Sequence, residues 1–297
     1  MKKICISGST KAEAVLAFTT LLWGMTFIVI KTGLDDASPL MFLCLRFTAA
    51  SIPFFIIFRK RFRHLSRKTV RRAVFLSLFF FSGYAMQTIG LKYTSVAKSS
   101  LFTYLFAVFV PPLQYFFTGK KPKLLNIAAL LVVVFGMIVF TSPGNSRLNI
   151  GDWMTLLGAV GYSFFIIFVD RFTGEEDPMV LTGFQFVVSA LIAGILSIFL
   201  EESFVFPTIN LTVSILYLAI PGSVIAISLM NKYQGGTTPV KACIIYALEP
   251  VFTIFFGWLL LAEGLSGSEI LGALLIIAGV VFTEVIGAFK NRKAAPL

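Results

Sequence analysis

A helix needs about 20 mostly apolar residues to cross the roughly 30 Å hydrocarbon layer of a bilayer, and this chain supplies such a run ten times. The runs are 12–33, 39–58, 72–91, 96–118, 124–141, 151–169, 178–200, 211–231, 238–262 and 268–287. Hydrocarbon offers no partner to a backbone N–H or C=O, so runs of this length cross as helices. The connections between them are short, which leaves no room for an appended soluble domain. The expected fold is therefore an all-α integral membrane protein with ten transmembrane helices. Composition agrees: 57% of the 297 residues are apolar and 13% charged, with a mean hydropathy of +0.90. An ordinary soluble enzyme is nearer half apolar and a quarter charged, and a disordered chain has the opposite bias. The first run follows Lys2, Lys3 and Lys11 like a secretion signal. It is long, however, and lacks a small-x-small cleavage motif, so it is expected to stay as a helix.

The formal net charge is +11. In a soluble protein that would raise the question of nucleic acid, but here the basic residues fall between the apolar runs, where they set orientation, and no nucleic-acid partner is expected. With the N-terminus inside, the inner segments hold Lys2, Lys3, Lys11, every basic residue of 59–72, Lys120, Lys121, Lys123, Arg171, Lys232, Lys241, Lys290, Arg292 and Lys293. The outer segments hold only Lys31, Lys92, Lys98 and Arg147. That imbalance places both termini in the cytoplasm, consistent with a bacterial inner-membrane protein. An Asn210-Leu211-Thr212 sequon lies in an outer loop and matters only in a eukaryotic host. Cys5, Cys44 and Cys243 have no CxxC spacing, and the single histidine, His64, lies in a basic loop. No metal site, disulfide framework or cofactor is expected from that material.

Shifting the sequence by 139 positions brings punctuating residues into register. Pro39 meets Pro178, Phe47 meets Phe186, Trp23 meets Tyr162, Gly83 meets Gly222 and Pro111 meets Pro250. After four extra residues in the second half, Gly136 meets Gly279. Residues 12–141 and 151–287 then form two repeats of five helices, with a basic cytoplasmic tail at 288–297. An odd number of spans makes the second repeat enter from the opposite side. Inverted repeats of this kind build many secondary transporters, with the substrate site at the repeat interface near the midplane.

The chain resembles the drug/metabolite transporter superfamily, specifically its ten-helix EamA-type transporters. The resemblance rests on Leu21 to Lys31 with its Trp-Gly pair, on Leu45 to Phe47, on Gly90 to Ser100 with the Pro111-Pro112 helix, and most specifically on Ala247 to Val280. That last stretch has an LEPVF core, Glu263 some thirteen residues on, and a Gly-rich final helix. Two departures stand out: Gly119-Lys120-Lys121-Pro122 answers Ala262-Glu263-Gly264, and Gln185 stands where the first half has Arg46. The family moves many small organic solutes, so the resemblance implies transport and leaves the substrate open.

Two charged residues lie deep within spans. Arg46 is about 10 Å below the outer end of its helix, at 1.5 Å per residue. Facing lipid there would cost at least about 2.5–3.5 kcal/mol. It either contacts a substrate carboxylate or a gating partner, or it snorkels outward or ties helices together. Glu249 is the deep acid, and Pro250 after it deprives the Tyr246 carbonyl of its helical partner. Broken backbone beside a titratable carboxylate is how transporters make a coupling or substrate site; the alternative is a protonated side chain bonded to neighbouring backbone. Pro111, Pro112, Pro221 and Gly222 are further expected hinges or helix breaks. Trp23, Tyr84, Gln87, Tyr104, Tyr162, Gln185 and Tyr246 complete the candidate substrate pathway, offering polar tips and flat faces to an aromatic or amphipathic solute.

The favoured function is alternating-access transport of a small organic solute (an amino acid, metabolite or amphipathic drug), with export the expected direction. The drive is a proton or solute gradient or facilitated exchange, and if protons are coupled Glu249 is the candidate carrier. There is no Walker A sequence to drive it with ATP. A passive channel or receptor is the competing reading. An intramembrane enzyme is poorly supported, because no constellation of His, Asp and Ser lies at membrane depth. Besides solute and bilayer, a second copy of the chain is the remaining partner. Ala190 and Gly194, one helical turn apart, allow close helix packing within a monomer or between protomers of a homodimer.

Overall fold

The computed structural model describes residues 8–63, 65–141, 148–200, 204–261 and 266–293. His64, Arg147 and Glu263 lie outside them, as do Lys2, Lys3, Cys5 and the end of the basic tail. Among the described residues the fold is helical, with one isolated antiparallel bridge, Ala37 to Val205.

The first span is α1 (Gly8–Trp23) and α2 (Thr26–Gly33); the second is α3 (Pro39–Phe58) and the third α4 (Arg67–Tyr93). The fourth is split into α5 (Val96–Tyr104) and α6 (Phe106–Thr118), and the fifth is α7 (Leu124–Thr141). The second half follows with α8 (Ile150–Phe172) and α9 (Pro178–Leu200). Next come α10 (Ile209–Ala219) and α11 (Ala226–Tyr233), joined through a π-helical turn at Ile220–Ile225. The ninth span is α12 (Pro239–Tyr246) and α13 (Leu248–Leu261), and the tenth is α14 (Gly267–Lys293). Helix starts follow local chemistry. Pro39 and Pro239 stand in first turns, where a missing N–H is harmless. Ser66, Ser95, Thr208 and Thr238 cap through their hydroxyls, and Asn149 forms a capping box with Asp152.

The two halves are related by a pseudo-two-fold axis. Equivalent spans pack on each other across it: α3 on α9, α6 on α12, and α7 on α14. The α4–α8 pair is matched by α10 and α11 on α2 and α1. Individual contacts repeat the relation. Phe47 stacks on its counterpart Phe186 at 6.2 Å. Trp23 Nε1 donates to the Gly222 carbonyl at 3.0 Å, and its counterpart Tyr162 lies against Gly83, where an added Cβ would come within 2.6 Å of the ring.

The register changes earlier than the sequence suggests. Ser95 accepts from Lys98 N and Thr238 from Lys241 N, so the fourth and ninth spans begin 143 positions apart. The four extra residues fall around the 3₁₀ turn Gln234–Gly236. Consequently Pro111 and Pro250 are not equivalent. Pro111 and Pro112 sit within α6, beyond the interruption at Leu105, whereas Pro250 is in the first turn of α13, just after the interruption at Ala247.

Glycines make the α4–α8 contact close. Gly83 and Gly90 on α4 face Gly151, Gly158 and Gly161 on α8; a Cβ on Gly90 would meet Thr155 Oγ1 at 2.5 Å and the Gly151 carbonyl at 2.7 Å. Small residues supply helix association where lipid is as apolar as the side chains. Gly90→Val is expected to cost about 1–3 kcal/mol by overpacking, seen as a lower melting temperature in detergent. Gly267→Val, where an added Cβ meets nothing within 4 Å, should leave that temperature unchanged.

Candidate functional site

Four of the spans are interrupted, and their broken ends surround one small cavity. About 70 Å³ of it admits a water-sized sphere, room for several waters. Trp23 reaches it from the end of α1, Arg46 from α3, Tyr84 and Gln87 from α4, Tyr162 from α8, Tyr246 from the end of α12 and Glu249 from the start of α13. Thr103 and Phe106, flanking the α5–α6 interruption, complete the opposite wall.

Arg46 does not snorkel. Only 1% of it is exposed, in a bundle whose lipid-facing residues would count as exposed. Its Nε donates to Ser223 Oγ at 3.1 Å, in the π-helical turn. The guanidinium lies 4.8 Å from the centre of the Tyr84 ring and 5.3 Å from that of Phe47. Its Nη1 is buried without a hydrogen-bond partner. A cation surrounded by a hydroxyl and two ring faces is desolvated and only partly compensated. Ser223 and Tyr84 are themselves equivalent positions, 139 apart, so Arg46 reaches across the pseudo-axis.

Glu249 is the second residue of α13, after the interruption at Ala247. The sequence suggested a mid-helix acid in front of a breaking proline; instead the break precedes both. A half-helix N-terminus favours a carboxylate through its unpaired N–H groups, and Pro250 sacrifices no helical hydrogen bond there. Thr253 donates to the Glu249 carbonyl at 3.0 Å. No hydrogen bond or ion pair to the Glu249 carboxylate is found among the described residues, so Arg46 and Glu249 share the cavity without meeting.

The aromatic walls are fixed by their polar tips. Tyr162 donates to Gln87 Oε1 at 2.9 Å, and Gln87 Nε2 donates to Thr103 at 3.1 Å. Tyr246 donates to Gln234 Oε1 at 3.0 Å, and Gln234 Nε2 to the Ile166 carbonyl at 2.7 Å. Trp23 meets Tyr246 edge-on at 5.8 Å, and Tyr84 meets Tyr162 likewise at 5.4 Å.

Two candidate residues lie elsewhere. Tyr104 is buried, donating to the carbonyl of Cys243 at 2.9 Å. Gln185 is wholly buried between α9 and α11 and accepts from Asn231 Nδ2 at 2.9 Å. Gln185 Nε2, Asn231 Oδ1, Ser189 Oγ and Ser228 Oγ have no protein partner in that seam. Among the described residues, no three of His, Cys, Asp and Glu gather as a metal-binding group.

Ion pairs close both ends of the bundle. At the end carrying residues 59–72, Lys241 Nζ lies 2.6 Å from Glu13 Oε1, joining α12 to α1. At the opposite end, Lys98 Nζ lies 3.6 Å from Asp152 Oδ2, joining α5 to α8, and Thr94 Oγ1 donates to Asp152 Oδ1 at 2.6 Å. Glu13 and Asp152 are 139 apart and the lysines 143, so each pair is the other's counterpart and each ties one half of the chain to the other. Sequence reasoning missed all four as site residues. The acids sit at the edges of apolar runs, and the lysines registered only as markers of orientation.

Ten spans in two pseudo-symmetric halves, broken around a central charged cavity, are an architecture shared by many membrane transporters. Comparison with known proteins identifies which kind. The model of the EamA-like transporter family matches residues 10–142 and again 149–285, and the chain belongs to that family. An uncharacterized transporter of Archaeoglobus fulgidus is 29% identical over 92% of this chain and 86% of its own length. A protein of Escherichia coli named "Probable amino-acid metabolite efflux pump" is 27% identical over 96% of this chain and 98% of its own. A crystal structure with 18% sequence identity superposes with a TM-score of 0.80, covering 93% of this chain and 96% of that one, and so shares the fold.

Arg46→Met separates a binding group from a structural tie. Replacing a buried, half-compensated charge by an apolar side chain of similar length is expected to leave the stability unchanged or raise it by up to about 1–4 kcal/mol, read as an unchanged or higher melting temperature in detergent. A fall of several degrees would make Arg46 a structural tie.

Proposed function

We propose that this transporter carries a small zwitterionic solute of the amino-acid kind, exports it by alternating access, and exchanges it for protons at Glu249. The observation that carries this reading is that Arg46, whose Nη1 lacks a hydrogen-bond partner, and Glu249, whose carboxylate has no hydrogen bond or ion pair among the described residues, line one aromatic-walled cavity. A carboxylate on the solute takes the place opposite Arg46 Nη1, and an ammonium takes the place opposite Glu249. Solute and proton then compete for the same carboxylate. Protonation of Glu249 from outside releases the ammonium there, and solute arriving from the cytoplasm displaces the proton inward. The E. coli relative's printed name supports both the solute class and the direction. The basic end, with residues 59–72, faces the cytoplasm by the positive-inside rule.

The paired ionic contacts supply the gates. Separation of Glu13 from Lys241 opens the cytoplasmic side, and separation of Asp152 from Lys98 opens the outer side. Because each contact bridges the two halves, rocking one half against the other loosens one as it tightens the other.

Two experiments test the reading. In proteoliposomes loaded with a mixed pool of amino acids, nucleosides, sugars and cationic drugs, wild-type flux of an amino-acid-like solute should rise with an imposed pH gradient. Glu249→Gln should abolish that dependence while expression is retained, and Arg46→Ala should abolish selective flux. Wild-type pH dependence in Glu249→Gln would remove the proton role. Second, in a Cys5→Ser, Cys44→Ser background, the buried Cys243 of α12 reports on the inner gate. Glu13→Gln should speed its maleimide labelling several-fold and Asp152→Asn should slow it; equal effects of both changes would refute the gate assignment.

A further inference from the structure

The N-terminal end of α4 and the C-terminal end of α8 enclose a groove of about 720 Å³, separate from the central cavity. Its rim is basic (Arg67, Lys68, Arg71, Arg72 and Arg171) and its floor aromatic (Phe75, Phe168 and Phe172). Two of the cations are already committed. Arg72 lies 2.7 Å from Glu175 and 2.8 Å from Glu176, and Lys68 lies 3.4 Å from Glu175. These contacts hold Glu175 below the usual carboxylate range. Arg67, Arg71 and Arg171 are exposed and make no ion pair among the described residues. Three unneutralised guanidiniums around one groove match a phosphate, which accepts forked N–H pairs.

Depth decides what carries the phosphate. The 27 residues of α4 extend about 40 Å at 1.5 Å per residue, about 10 Å more than the hydrocarbon layer. The turns bearing Arg67 to Arg72 therefore stand at headgroup level, and Phe75, one turn further, meets the top of the acyl chains. Phe75 is 40% exposed and packs on Phe168 at 5.0 Å. The aromatic strip continues inward through Phe79 and Phe164, 5.1 Å apart. A soluble phosphate would have no use for this floor, whereas a lipid would use both levels at once.

We infer that this groove binds an anionic phospholipid, with its phosphodiester among Arg67, Arg71 and Arg171 and its first acyl carbons on Phe75. The lipid would cover the α4–α8 contact on the side where the loop bearing Glu175 and Glu176 is latched to Arg72.

The test is native mass spectrometry of the full chain in detergent, titrated separately with phosphatidylglycerol, phosphatidylcholine and glycerol phosphate. Wild type should retain one phosphatidylglycerol about tenfold more tightly than phosphatidylcholine, as expected when several basic groups act at a surface. The triple variant Arg67→Gln, Arg71→Gln, Arg171→Gln should lose that preference. The control Arg59→Gln, Lys60→Gln, Arg63→Gln removes equal charge from the same end and should keep it. The single variant Arg171→Gln should weaken phosphatidylglycerol several-fold, and it serves if the triple does not fold. An equal loss in both triples, an unaffected Arg171→Gln, or no headgroup preference in wild type would overturn the site. Glycerol phosphate bound as tightly as the lipid would make it a soluble-anion site and overturn the lipid assignment.

Discussion

Hydrocarbon cannot hydrogen-bond a peptide group, so every carbonyl freed where a membrane helix breaks must find its donor inside the protein. This chain breaks four of its ten spans, and at two of the breaks the donor is an aromatic side chain from the opposite half. Tyr217 donates to the Leu22 carbonyl at 2.7 Å beside the α1–α2 break. Trp23 donates to Gly222 in the π-helical turn; Tyr104 adds a second donor to the Cys243 carbonyl, which also accepts from the Ala247 N–H at 3.3 Å. Of these aromatics only Trp23 also lines the cavity. Two of its other aromatic walls, Tyr162 and Tyr246, spend their hydroxyls on the side chains of Gln87 and Gln234.

The pseudo-symmetric frame carries an asymmetric cargo of charge. Arg46 is answered by Gln185, and Glu249, in the 143 register, by Phe106. A fully symmetric bundle would place two arginines and two acids near the axis, with like charges facing each other in a medium of low dielectric. One of each leaves a single polar site with a defined direction from cation to anion. The equivalents that lost their charge took different fates: Phe106 still lines the cavity, whereas Gln185 is too short to reach it and bonds Asn231 instead.

Much of this was legible in the residues. Span lengths need only the thickness and chemistry of a bilayer, and Pro39/Pro178, which start helices, and Gly83/Gly222 hold a register through drift elsewhere. The breaks were harder. Pro111 and Pro112 are accommodated within α6, while the interruption at Leu105 has no proline or glycine to announce it. The position follows instead from packing, since Phe106 must turn inward as Glu249 does. Residues whose role depends on the partner half were also hidden. Glu13 and Asp152 sit at the mouths of apolar runs, and nothing local distinguishes an interhelical acid from a solvated one. Seven of the nine pathway candidates converge because large polar-tipped aromatics at membrane depth have few other places to go; Tyr104 is an exception because its hydroxyl is spent on a carbonyl.

The two ionic contacts are counterparts in position but unequal in length. The Glu13 contact is short, at 2.6 Å, and Thr237 also donates to that carboxylate at 3.4 Å. The Asp152 contact is longer, and its carboxylate is also engaged by Thr94 and by the cap of its own helix. Both contacts are ionic and stand at the ends of the bundle, so on the gating reading proposed above ionic strength enters the transport cycle alongside solute and pH.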